Sequence, residues 1–168
     1  MTAAPLLIRV EAVAISALRG LLGLGLVAMV LVNIANAGGR YGGLPTLTGA
    51  DELLVFAMIW IVMVGAILAT RDRTHLSIDL FPQRLPPRSR RALTAATGLV
   101  TAAVCAFTAF HGLTFIERIA AIGQTSMGLG IPMVIPHLAV FTGFAGIAIV
   151  AAILAVIDLR GCLAGRGE

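Results

Sequence analysis

Apolar positions in this chain run in long unbroken blocks, with the charged positions gathered between them. Four stretches carry no charged residue: 20–39, 53–70, 92–116 and 119–157. Each of the first three is close to the roughly 20 residues that a helix needs to cross a bilayer's hydrocarbon core. The fourth is too long for one crossing and too short for two with a turn. Its first part, 123–136, is rich in Gly, Pro and Ser, and the pairs Ile131-Pro132 and Ile135-Pro136 suit an extended entry that stops where a helix begins. Period-2 alternation is not visible, and lipid supplies no water to open backbone groups, so helices are the expected element. The pattern predicts an all-α integral membrane protein, residues 1–168 forming a single four-helix membrane domain with helices at about 18–38, 52–70, 91–116 and 137–158.

Composition agrees. Hydrophobic residues make up 59% of the 168 and charged residues 12%, where a soluble domain carries about 25%. Mean hydropathy is +1.01. All 12 basic residues are Arg, and against 8 acids they leave a net charge of +4. Such a balance raises nucleic-acid binding as a first idea, but stacking aromatics are scarce and the arginines cluster at the ends of the apolar runs. Ten of the 12 lie in the amino-terminal tail, the middle loop and the carboxy-terminal tail, which predicts that both termini and the 71–91 loop face the cytoplasm. Ala35-Asn36-Ala37 has the small-x-small form of a signal-peptide cleavage site, yet the apolar run before it exceeds the typical 7 to 15 residues of an h-region.

Chemistry is sparse. No P-loop, zinc-ligand spacing or GxSxG element occurs, and Cys105 lies mid-helix while Cys162 lies in the carboxy-terminal tail, so no disulfide joins them. No cofactor and no enzymatic activity are expected. Ionisable residues inside spans mark ion or substrate paths, and here they stand only at helix ends: Asp51 and Glu52, Glu117 and Arg118, Asp158 and Arg160. Headgroup-level charges and interhelix ion pairs both fit those positions. Asn33 and Asn36 share one face of the first helix. His111 and His137 fall near the same end of the third and fourth helices, which admits a haem-binding membrane anchor as an alternative. Small residues, among them Ala95, Ala102 and Ala109 in the third helix and Gly143, Gly146, Ala151 and Ala155 in the fourth, allow close helix approach. Gly20, Gly23 and Gly25 offer the same in the first.

The middle loop mixes Leu76, Ile78, Leu80 and Phe81 with Arg71, Arg73, Arg84, Arg88, Arg90 and Arg91. It reads as an interfacial segment whose arginines meet anionic phospholipid headgroups, each contributing on the order of 1 kcal/mol.

Several short motifs occur in a recognisable order. Asp51-Glu52-Leu53 opens the second helix, which holds Trp60 and Gly65. Arg71 and His75-Leu76-Ser77-Ile78-Asp79 follow, then Leu85-Pro86, then Ser126-Met127-Gly128-Leu129-Gly130-Ile131-Pro132 and Pro136. In this order, and over nearly its whole length, the chain resembles the DctQ-like small membrane subunit of TRAP transporters. The resemblance implies a tripartite, ATP-independent uptake system in the bacterial inner membrane. In it a periplasmic binding protein delivers an organic acid, and a large DctM-like subunit carries it with sodium. The small subunit braces that large one without owning the substrate or sodium sites. It implies Glu52, Trp60 and Gly65 as candidate partner contacts and His75 and Asp79 as family-motif positions. An autonomous homo-oligomeric transporter is a further alternative.

Overall fold

Uncharged runs of this length become helices because a helix satisfies its backbone hydrogen bonds within itself. A computed structural model describes residues 3–43, 46, 48–73 and 86–163, with side chains from Arg9 onward except at 87, 88 and 163. Four α-helices account for nearly all of them: α1 (Ala3–Gly42), α2 (Ala50–Arg71), α3 (Pro87–Ile122) and α4 (Val134–Leu163). All four are long and apolar enough to cross a membrane. His75, Asp79 and Arg84 lie outside the described residues, as does most of the arginine-rich loop.

The helices overrun the expected spans, each for a local reason. α1 holds 40 residues, about 60 Å, twice the hydrocarbon thickness. It continues through Arg9, Glu11 and Arg19 because two of these charges find partners on α2's end, as shown below. α3 opens with Pro87 at its first turn, where a missing N–H costs nothing, and ends at Gly123, whose φ of 62° permits the left-handed cap. Gln124 N–H then donates to Ile119 O at 3.3 Å. α4 begins at Val134 rather than 137, because Pro136 sits in the first turn, where prolines are tolerated.

Packing follows the spacing of small residues. On α3, Ala95, Ala102, Ala109 and Ile116 are buried at seven-residue intervals, with Cys105 and Ile119 beside them, the period of a left-handed seam. On α4, Ala139, Gly143, Ile147, Ala151 and Ala155 are buried at four-residue intervals. Four residues overshoot one turn of 3.6, so that stripe winds around the helix and meets α3 on one side and α2 on the other. A Cβ on Gly98 would stand 3.0 Å from Ala155 Cβ, and one on Gly143 would stand 2.7 Å from Met63 Cβ. On α1 only a narrow seam is covered, through Ile15, Leu22, Gly25, Met29, Asn36 and Gly39, and Gly25 faces Ile61 of α2. Gly20 and Gly23 have nothing within 4 Å of a Cβ position.

The helices therefore stand in a row, α1, α2, α4, α3, with α3 against α4 the most extensive contact. α1 meets α2 and no other helix. Gly98 against Ala155 and Phe115 against His137 set α3 antiparallel to α4, whereas Met63 against Gly143 and Ile67 against Gly146 set α2 parallel to α4. The start of α1, the end of α2, the start of α3 and the end of α4 thus share one end of the row.

Candidate functional site

Charge and hydrogen bonding concentrate at the two ends. At the end opposite the chain termini, α2 begins at Gly49, whose φ of 82° is a left-handed conformation that favours glycine. A side chain there would also meet Leu129, 2.5 Å from its Cδ2. This start presents Asp51 and Glu52 in different directions. Glu52 reaches the α3–α4 connection, where Gly128 N–H donates to Oε1 at 2.7 Å and Leu129 N–H to Oε2 at 3.0 Å. A Cβ at Gly128 would lie 3.1 Å from the Glu52 carboxyl carbon, so the carboxylate packs closely on this glycine.

The connection is itself a small hairpin. Ser126 N–H donates to Ile131 O at 2.8 Å, Met133 N–H to Gln124 O at 2.9 Å, and Ile131 N–H to Ser126 Oγ at 3.2 Å. Two of the sequence motifs, Asp51-Glu52-Leu53 and Ser126 to Pro132, are thus two halves of one contact. An open groove of 450 Å³ lies beside it, lined by Asp51, Glu52, Phe56, Gln124 and Met133 among others.

Asp51 turns the other way, to α1. Arg40 donates to its Oδ2 at 3.0 Å and Asn36 Nδ2 to its Oδ1 at 3.4 Å.

At the other end, Arg71 pairs with Glu11 at 2.6 Å, and Arg19 pairs with Asp72, so two ion pairs hold α1 to the end of α2. Arg73 grips Asp158 of α4 through both guanidinium nitrogens, at 2.8 and 3.0 Å. Arg91 Nη1 lies 3.5 Å from Gly161 O. Of the arginines expected at headgroups, Arg71, Arg73 and Arg91 thus bind their own chain. Arg90 is exposed, and Arg88 lies in the first turn of α3. These pairs differ in weight. Arg40 and Asp51 side chains are 61% and 67% exposed, so Arg40→Ala is expected to cost no more than about 0.5 kcal/mol. Asp158 is 16% exposed and bound bidentately, so Asp158→Ala is expected to cost more, about 1 kcal/mol or above. Thermal unfolding of both variants in detergent checks that order.

The remaining sequence candidates are scattered. Trp60 is 38% exposed on α2, and Gly65 has nothing within 4 Å of a Cβ position. Ring contacts of His111 are with Phe107 and Phe110, and that of His137 is with Phe115, so the two imidazoles proposed for haem are not ring neighbours. His137 Nδ1 donates to Met133 O at 2.6 Å. Among the described residues no group of three or more His, Cys, Asp or Glu is placed to hold a metal ion. What sequence reasoning missed is the hairpin's acceptor role for Glu52; the glycine spacing of Gly128 and Gly130 was its one signal.

Comparison with known proteins fits this geometry. The family model of the DctQ component of tripartite ATP-independent periplasmic transporters matches residues 26–161, from the second half of α1 to near the end of α4. The ectoine TRAP transporter small permease protein TeaB of Halomonas elongata is 27% identical over 124 residues, 74% of this chain and 64% of that one. A protein of Haemophilus influenzae named as a candidate TRAP transporter small permease is 27% identical over 66 residues, 39% of this chain and 41% of that one. The chain thus spans less than two thirds of the length of either relative. With four membrane-length helices and a family match over residues 26–161, this chain belongs to the DctQ component family of tripartite ATP-independent periplasmic transporters.

Proposed function

We propose that this chain is the small permease subunit that pairs with, and braces, a large membrane subunit during sodium-coupled uptake of an organic acid handed over by a periplasmic binding protein. The observation that carries the reading is the single row of helices: α1 is covered along one narrow seam only, and no residue of its most apolar window is buried. A row of this kind has little interior in which to build a substrate or ion path, and its charges are spent on its own ends. It does have long apolar faces that a many-helix partner can cover. Sodium and substrate sites belong in that partner, and this chain needs no cofactor. Bracing suits the clasps found here, since ion pairs at both ends of α1 and α2 resist relative sliding.

The arginine-rich end, with Arg9, Arg19, Arg71, Arg73, Arg90, Arg91 and Arg160, lies at the cytoplasmic side of the inner membrane, which places both termini inside. Arg71, Arg73, Arg84, Arg88, Arg90 and Arg91 are the proposed headgroup contacts. On α2 the exposed positions Leu53 and Trp60, seven residues apart, share one partner-facing candidate face, and Gly65 lies on another.

Affinity purification of the tagged chain, co-expressed with the large membrane subunit encoded beside it, tests the reading. Co-elution in a fixed ratio is expected, and recovery of the chain alone would overturn it. Trp60→Ala is expected to reduce the recovered large subunit severalfold by removing a large aromatic anchor; unchanged recovery would remove Trp60 from the interface.

A further inference from the structure

Seam contacts fix which residues stand level with one another across the row. Ile67 of α2 meets Gly146, which lies at the middle of α4's uncharged length, 134–157. Gly25 of α1 meets Ile61 of α2, so six residues further toward the end that carries the chain termini, Arg19 comes level with Ile67. Gly98 against Ala155 and Phe115 against His137 bring Ala106, close to the middle of α3's uncharged stretch, to the same level. One plane across the four helices therefore cuts α3 and α4 near their apolar middles, α2 four residues short of Arg71, and α1 at a charge.

An upright row would carry those charges into the bilayer interior. The Arg19 and Arg71 side chains are 52% and 42% exposed. Upright, they would meet lipid at the bilayer centre and about 6 Å from it, a depth at which ionisable groups face protein or a wet cavity instead. A lean removes the conflict. The middle of α1's uncharged stretch, 20–39, lies about 10 residues from Arg19, or about 16 Å along the axis. Two spacings of about 8–10 Å separate α1 from α4, so a lean of about 40° brings both middles to one depth. The α2 helix repeats the figure independently: its middle lies about 8 Å from Ile67, across one spacing from α4.

Helix lengths agree with that lean. Crossing about 30 Å of hydrocarbon at 40° takes about 26 residues, and the uncharged stretches of α3 and α4 hold 25 and 24. Those of α1 and α2 are shorter, but Arg19, Arg40 and Arg71 at their ends have long side chains that reach outward to headgroups. Gly143 and Gly146, which face α2, and Ala151 and Ala155, which face α3, lie about 130° apart around α4. The row turns there, so α3 stands aside from the slope with its middle already level with that of α4.

We infer that the row is inserted obliquely in the bilayer, its helices leaning by about 40° from the normal with the ends that carry the chain termini displaced toward α4. The surface that meets lipid tails is then a slanted belt, centred near Val30 on α1 and near Val104 on α3, and the Arg19–Asp72 and Arg71–Glu11 pairs come out at the headgroups. The lean follows from this chain's own seams and does not depend on the pairing proposed above.

The test measures depth at three exposed positions, Leu21, Val30 and Val104. Each is replaced by cysteine in the full chain, with Cys105→Ala and Cys162→Ala as background, spin-labelled and reconstituted in phospholipid vesicles. Collision with oxygen and with a water-soluble nickel chelate reports the depth. Labels at 30 and 104 are expected near the bilayer centre, with 21 shallower by about 10 Å. An upright row reverses the order, with 21 and 104 deep and 30 near the headgroups; that result, or three equal depths, would overturn the inference. Polarised infrared dichroism of the wild-type chain in aligned bilayers needs no substitution. A mean helix tilt of about 30° or more is expected, and a smaller one would overturn the oblique insertion.

Discussion

Replacing Gly143 with alanine is expected to destabilise the chain more than the same change at any other seam glycine. A Cβ at 143 would lie 2.5 Å from Met63 Sδ, 2.7 Å from its Cβ and 2.9 Å from its Cγ. The sulfur can rotate away, but Met63 Cβ is fixed to the α2 backbone. Ordinary carbon contact is about 3.5 to 4.0 Å, so α2 and α4 must separate by close to 1 Å. Overpacking of that kind costs about 1–3 kcal/mol, and Leu at 143 costs more. At Gly98 the nearest atom, Ala155 Cβ, is 3.0 Å away, also tied to backbone, and the expected cost is smaller. At Gly25 and Gly146 the atoms met first are Cδ1 of Ile61 and Ile67, ends of side chains that can turn. Alanine at Gly25 should be close to neutral, because its gain of up to about 1 kcal/mol in helix propensity offsets the contact. Thermal midpoints in one detergent give the ranking, with Gly143→Ala lower by roughly 5 °C and Gly25→Ala unchanged. Equal midpoints for these two variants would contradict the row as described.

Glu52→Ala is expected to loosen the α3–α4 hairpin while sparing the helices. The carboxylate is acceptor to two successive amides, Gly128 and Leu129, and the alanine variant leaves both facing solvent without it. Glu52→Gln keeps one carbonyl oxygen, so one amide retains its acceptor and the other meets an NH2 group. Amide exchange at 128 and 129 should rise on the order of tenfold in the alanine variant and less in the glutamine variant, with α3 and α4 protection intact. A hairpin whose exchange is unmoved by Glu52→Ala would show that its own hydrogen bonds suffice.

Legibility divided along a physical line. The seam alanines of α3 could be seen in the sequence as small residues, but Ala92, Ala96, Ala103 and Ala106 are equally small and lie exposed. In water an amphipathic stripe would separate the two sets. In lipid both faces of a helix are apolar, and a seam differs from a lipid face by size and spacing rather than polarity. The seven-residue interval from Ala95 to Ile116 became readable only once burial showed which alanines belong to it. The ends of α3 were less legible: charge placed them at about 91 and 116, whereas Pro87 and Gly123, acting through their own backbone, set them at 87 and 122.

By itself the sequence determined the class of molecule. Bilayer thickness sets the length of an apolar run, and the order of its short motifs marked the family. Only the tertiary structure decided who meets whom. It placed α4 between α2 and α3, and left α1 on a single seam. It gave Glu52 to Gly128 and Leu129, about 76 residues along the chain, and gave Arg71 and Arg73 partners in Glu11 and Asp158. Charges at helix ends have several partners within reach of any local reading, and the choice among them depends on which helices stand side by side.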